Sequence, residues 1–160
     1  DTRQLNTKLP IFSVLNWIDN NQLLVTANTN KVRNLYRYDL NSQQLVDLKL
    51  SQVKQAWVYQ DMLIYVNKRN QAWQTKLSDI TNNNARIANI FCKSCLVNDG
   101  SLYHVDPTTH ILFKYNLITQ QQQPLITLKD KAWWIKDIKA EKLLISQAIA
   151  VKKAVIELSR

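Results

Sequence analysis

Glycine is almost missing from this chain: Gly100 is the single example among 160 residues, and proline occurs three times. A glycine-rich loop that cradles phosphate therefore cannot be built, because such loops need several residues without a Cβ. Cysteine and histidine occur twice each. His104, His110 and one Cys-x-x-Cys pair fall short of a structural zinc site, which wants a second ligand pair at suitable spacing. No apolar stretch approaches the ~20 residues of a membrane helix. No charged-then-apolar leader opens the sequence, and the start at Asp1 is read as that of an excised domain or a processed product. No segment keeps a 3.6-residue period between helix caps; residues 148–153 have only weak helical character. Phosphate-loop, zinc and helical-bundle chemistry are thereby set aside.

What is present repeats. Leu23, Leu63, Leu102 and Leu143 each open a short apolar run, with separations of 40, 39 and 41 residues. Leu40, Leu77, Leu117 and Leu158 form a second series, separated by 37, 40 and 41 residues. Two series keeping one period of about forty residues, with four strand-like runs per unit, are the mark of a propeller blade. With hydrophobic residues at 46%, the chain can bury a sizeable core.

The runs are short, alternating, and rich in β-branched and aromatic residues. In the first unit they fall at 13–18, 22–27, 34–40 and 44–50. The second unit places them at 53–59, 62–67, 72–77 and 85–90, and the third at 95–98, 101–105, 111–117 and 124–128. The fourth gives 133–138, 142–146 and 154–158, one strand short. Residues 4–9 supply the expected missing strand, since their pattern resembles that of 44–50, and closing a blade this way removes an exposed sheet edge. The expected fold is all-β: one domain, 1–160, forming a β-propeller of about four four-stranded blades. The units are about 11–50, 51–90, 91–130, and 131–160 plus 1–10. A half-propeller that dimerises and an extended meander stay open beside it.

With one glycine, asparagine and aspartate are expected to carry the turns, at 19–21, 41–42, 82–84 and 98–100. Cys92 and Cys95 fall between strands with no helix following, so a redox-active pair, which needs a helix N-terminus, is not expected. Residues three apart in a strand are ~10 Å apart. A bridge between them requires the chain to turn there, and a turn-pinning disulfide in an oxidising compartment is the expectation. Two free, small hydrophobes are the alternative. His104, inside a strand, reads as a packed or half-exposed structural residue, and His110 as solvated. The acidic residues are scattered over turns, so no catalytic pair stands out. The chain is read as no enzyme, with no catalytic residue, no cofactor and no metal. Trp17 and Trp57 share a place in their units and are expected to pack between blades. Trp133 and Trp134 point to opposite faces, so the less buried of the two is a candidate aromatic contact.

Charge is the better functional clue. The net charge is +9. Because successive strands are antiparallel, the second-to-third strand loops and the interblade loops share one end. That end collects Lys31, Arg33, Lys68, Arg69, Lys129, Lys131, Lys152 and Lys153, the candidate binding surface, with Lys54 and Lys93 nearby. Most turn aspartates fall at the other end. A basic end attracts an acidic protein, a small anionic ligand or anionic headgroups. Direct nucleic-acid binding is not expected without a recognisable module. A merely solvated basic surface is the plain alternative.

Two stretches carry a family resemblance: Asn34-Leu35-Tyr36-Arg37-Tyr38-Asp39-Leu40-Asn41-Ser42 and Phe113-Lys114-Tyr115-Asn116-Leu117-Ile118-Thr119. The units resemble bacterial propeller repeats of the TolB/PD40 type, although the Ser-Pro-Asp-Gly turn common there is absent. Domains of this kind occur as extracytoplasmic sensor regions of ToxR/CadC-like membrane-anchored winged-helix regulators. The resemblance implies a non-enzymatic sensor or protein-interaction domain on the periplasmic side of a bacterial inner membrane, near the bilayer through an upstream anchor. A homodimer, a soluble periplasmic scaffold and an enzyme with a loop-built site at one propeller mouth are the rival expectations.

Overall fold

The computed structural model describes residues 11–29, 31–129, 133–139, 142–147 and 153–157, and none of these described residues is helical. The expected strand at 4–9 lies outside the described residues. The first sheet runs in the order β1 (Ile11–Trp17), β2 (Gln22–Thr29), β3 (Val32–Asp39) and β4 (Leu45–Ser51). The second is β5 (Val53–Tyr59), β6 (Met62–Asn67), β7 (Gln71–Lys76) and β8 (Ala85–Phe91). A third contains β9 (Cys95–Asn98), β10 (Ser101–Val105), β11 (Ile111–Asn116) and β12 (Gln122–Thr127). The fourth contains β13 (Trp133–Lys139), β14 (Lys142–Gln147) and β15 (Lys153–Glu157). Within each sheet the ladders are antiparallel meanders. Observed strands fall within two residues of the expected ones at either end.

The second strand of a sheet is covered on both faces, which is why it reads as an unbroken apolar run. Leu23 to Ala27 in β2, Leu63 to Val66 in β6 and Ser101 to His104 in β10 are all buried. The fourth strand is an edge and far wetter: β12 buries none of its residues. All four leucines of the first repeat series are buried.

The chain divides into two compact units, Asp1–Ala88 and Asn89–Arg160. In the first, Leu24, Leu35, Leu48 and Leu50 of one sheet pack on Val53, Ala56, Leu63 and Tyr65 of the next. In the second, Tyr103, Leu112 and Leu128 meet Ile135, Leu143 and Ile145. Each such leucine contributes ~2 kcal/mol by leaving water. The far face of the first sheet buries Leu23, Val25, Ala27, Tyr36 and Tyr38.

Two expectations are corrected. Trp17 is 55% exposed, whereas Trp57 is 8% exposed and packed. The β1–β2 ladder carries a second register shift, between Val14 and Asn16, so Trp17 pairs with Leu23 while Trp57 pairs with Ile64. A one-residue slip turns a side chain to the other face, and the two tryptophans are not equivalent. Asparagine and aspartate also do not take most of the left-handed turn positions. These fall on Gln43, Gln52, Gln60 and Gln120, on Lys31 and Lys49, and on His110, besides Asn70, Asn89, Asp99 and Gly100. Asx side chains instead cap the turns. The Oδ1 atoms of Asp39, Asp106 and Asn116 each accept amides two and three residues on, at 2.7–3.0 Å. The left-handed residue follows four positions after the cap, as Gln43, His110 and Gln120.

Candidate contact surface

The first unit separates its charges by end. The β2–β3 turn brings Lys31 and Arg33, the β6–β7 turn Lys68 and Arg69, and the start of β5 Lys54. Hydrogen bonds tie these segments together. Gln52 N donates to the Arg33 carbonyl at 2.7 Å, linking the β4–β5 turn to β3. The Lys54 Nζ donates to Asn70 Oδ1, linking β5 to the β6–β7 turn. Asp19, Asp39, Asp61 and Asp79 occupy the β1–β2, β3–β4, β5–β6 and β7–β8 turns, at the opposite end of the same sheets. No described carboxylate lies in the basic turns.

The basic tips are shaped by their own side chains. Asn67 Oδ1 accepts from Arg69 N at 2.9 Å and Gln71 N at 3.1 Å, while Asn70 takes a positive φ. Lys31 occupies the left-handed position of its turn. Lys31, Lys54, Lys68 and Arg69 are exposed and Arg33 is half-buried. At the acidic end the carboxylates serve the backbone. Asp61 takes the Ser78 hydroxyl at 2.6 Å, and Asp79 takes the Asn83 amide at 2.7 Å. The Ser42 amide, then its hydroxyl, hold the Asp39 carboxyl below its ordinary pKa.

Lys31, Arg33, Lys68 and Arg69 are thus brought together within one unit. Lys129 follows β12 in the second unit and is exposed. Lys131 and Lys152 lie outside the described residues, and of Lys153 only the backbone, opening β15, is described. Nor does the third sheet continue the basic pattern: its β10–β11 turn carries Asp106 and His110. The Thr109 amide is the main influence lowering the Asp106 pKa. His110 is half-buried rather than solvated, its amide donating to the Asp106 carbonyl at 3.0 Å. Trp134 is half-buried; the Trp133 side chain lies outside the described ones.

Cys92 and Cys95 are joined in a disulfide with Cα atoms 5.3 Å apart, both buried in the turn between β8 and β9. The expected bridge is therefore present. His104 is paired across the ladder with Cys95 and stacks on Phe113 with ring centroids 5.5 Å apart. It is 1% exposed, and neither ring nitrogen completes a hydrogen bond. Burial pulls its pKa down to about 4, against the opposing influence of Asp106 and Gln122. Because the facing sulfur is bonded in the disulfide, Cys95 offers no thiolate to this imidazole. Among the described residues no group of histidine, cysteine and carboxylate side chains is placed to hold a metal.

No family model matches the sequence, and no curated protein resembles it closely enough to count as a relative. Solved structures do match its fold. The computationally designed Ika4 protein superposes with a TM-score of 0.63 at 9% identity, over 99% of this chain and 100% of that one. An auxiliary nutrient binding protein from Bacteroides thetaiotaomicron VPI-5482 gives 0.63 at 16% identity, over 83% of this chain and 34% of that one. Oligogalacturonate lyase from Vibrio parahaemolyticus gives 0.60 at 12% identity, over 90% and 48%. These neighbours are propeller-like. The fold is of the β-propeller type. The chain spans the whole of the designed protein but half or less of the two natural ones. At these identities the likeness is one of fold, and it transfers no activity.

Proposed function

We propose that this propeller-type domain works by recognition rather than reaction, as a sensor or protein-interaction module whose contact surface is its basic end. The observation that carries the reading is the charge separation within the first unit. Lys31, Arg33, Lys54, Lys68 and Arg69 share one end, and Asp19, Asp39, Asp61 and Asp79 the other. Such a dipolar unit presents one face to an anionic partner and turns the other away. The carboxylates of the acidic end are engaged with turn groups, Asp19, Asp39 and Asp79 in their own turns and Asp61 with Ser78 of the neighbouring one, which supports placing the contact at the cationic end.

The finer reading is a closed ring of four blades completed by residues 4–9, forming the extracytoplasmic part of a ToxR/CadC-like regulator. The Cys92–Cys95 disulfide supports an oxidising compartment. The TolB/PD40 resemblance supports the same placement, with weight limited by what the phrases do. Tyr38-Asp39-Leu40-Asn41-Ser42 is the end of β3 followed by an Asp39-capped turn, chemistry that many propellers can share.

The experiment is to measure binding of poly-glutamate, a model acidic partner, to the protein and to a variant with Lys31→Glu, Lys68→Glu and Arg69→Glu. Binding that falls by more than tenfold fits the proposal. Binding that is unchanged removes the basic end from the reading. Sequencing the gene ahead of Asp1 tests the regulator assignment separately, through the presence or absence of a winged helix and a membrane span.

A further inference from the structure

We infer that the basic end of the first unit docks on an anionic lipid surface; this rests on the reading above and names its partner. Four observations favour a lipid surface over a shaped partner. The cations stand at the tips of turns rather than inside a cleft: Lys31, Lys54, Lys68 and Arg69 are all exposed, on two neighbouring sheets. Rounded tips match a diffuse sheet of charge better than a complementary protein contour. The tips are also pre-shaped, by Asn67 accepting from Arg69 N and Gln71 N and by the Lys54–Asn70 and Gln52–Arg33 bonds. Docking then orders little chain.

Next, Val32 sits between Lys31 and Arg33 and is 38% exposed. An apolar side chain flanked by cations can enter the interfacial layer while its neighbours meet headgroup phosphates. Finally, residues 29–33, 51–54 and 67–71 include no aromatic residue, so these turns offer none of the stacking surface that a single-stranded nucleic acid requires. The acidic opposite end orients the approach, since it is repelled by the same surface.

Each Lys or Arg near an anionic leaflet contributes ~1 kcal/mol, or about fivefold in affinity. The test is co-sedimentation of the full chain with vesicles of phosphatidylcholine alone or mixed with phosphatidylglycerol. The expected result is binding only to the phosphatidylglycerol vesicles, weakened by salt. Lys68→Gln should cost about fivefold and the pair Lys68→Gln, Arg69→Gln about thirtyfold. Lys76→Gln removes the same charge from the other end of β7 and should leave binding unchanged. Equal binding to both vesicle types overturns the inference, as does an equal loss from Lys76→Gln. Failure to bind phosphatidylglycerol, together with poly-glutamate binding that is lost in the double variant, overturns the lipid partner and leaves the basic-end reading standing. Thermal unfolding of each variant by circular dichroism confirms that the fold is kept.

Discussion

The Ser94 hydroxyl grips both backbone groups of Ile135. It accepts from the Ile135 amide at 2.9 Å and donates to the Ile135 carbonyl at 3.3 Å. Ser94 lies inside the turn closed by Cys92 and Cys95, and Ile135 is a buried residue of β13 beside the register shift between Ile135 and Asp137. β13 is the first strand of its sheet, so backbone groups on its outer side have no ladder partner there, and a side chain from the β8–β9 turn of the same unit supplies one. Ser94→Ala should therefore destabilise the second unit by about 1–2 kcal/mol, the cost of leaving part-buried backbone groups unpaired. Denaturant unfolding measures the loss, and hydrogen exchange at the Ile135 amide locates it. Unchanged exchange there would show that water replaces the hydroxyl without cost.

The disulfide and the hydroxyl should act as one device. The loop that Cys92 and Cys95 close is very short, so chain-entropy arguments assign it only about 2 kcal/mol. Its larger role is to hold Ser94 where β13 can be reached. Replacing both cysteines by alanine should then lower the further cost of Ser94→Ala to well under half its value in the parent protein. A double-mutant cycle reads that coupling directly. Additive losses would mean that the turn keeps its shape without the bond.

Strand positions were legible because turn chemistry recurs at fixed intervals and the second strand of each unit is apolar on both faces. The Leu63 to Val66 run needs no register to be recognised. Register was what the sequence hid. Trp17 and Trp57 both precede their marker leucine by six residues, yet the extra slip in β1 turns Trp17 outward. The Ser94–Ile135 grip spans 41 residues and joins a turn to a strand of another sheet, which no local pattern announces. The basic turns were legible for a simple reason: antiparallel strands alternate ends, so Lys31, Arg33, Lys68 and Arg69 had to fall together once the strands were placed. Asp106 in the equivalent turn of the third sheet shows where that regularity stops.

Left-handed backbone at glutamine is a cost this chain carries in several turns. Gln43, Gln60 and Gln120 hold φ values of 55°, 55° and 58°, and all three are exposed. A residue with a Cβ loses ~1–2 kcal/mol there, whereas glycine loses none but gains unfolded-state entropy worth ~0.5–1 kcal/mol. Gln120→Gly should thus raise stability by roughly 0.5–1 kcal/mol, with Gln43→Gly and Gln60→Gly doing the same. Chemical denaturation of the single and combined variants checks the sign. A drop in stability at all three would mean that the glutamine side chains hold their turns through contacts worth more than the strain.

His104 makes the second unit sensitive to acid. Its ring is enclosed by Phe113 and, across the ladder, by Cys95, with no hydrogen bond at either nitrogen, so the folded protein favours the neutral form. The folded pKa of about 4 lies below the ordinary 6.5, so the unfolded chain binds the proton first as pH falls. Stability conferred by the neutral ring is intact above pH 6.5 and declines toward pH 4, at a slope of up to about 1.4 kcal/mol per pH unit. The carboxylates of Asp39 and Asp106, held low by their turn amides, add their own loss only below the ordinary carboxylate value of 3.8. His104→Leu removes the titrating ring while keeping an apolar side chain between Phe113 and Cys95. Unfolding free energy measured from pH 7 to pH 4 should fall in the parent protein and stay nearly level in the variant. Because the slope is read within each protein, any shift in baseline stability from the substitution does not enter. Equal slopes over this window would show that the imidazole is not the source of the acid sensitivity.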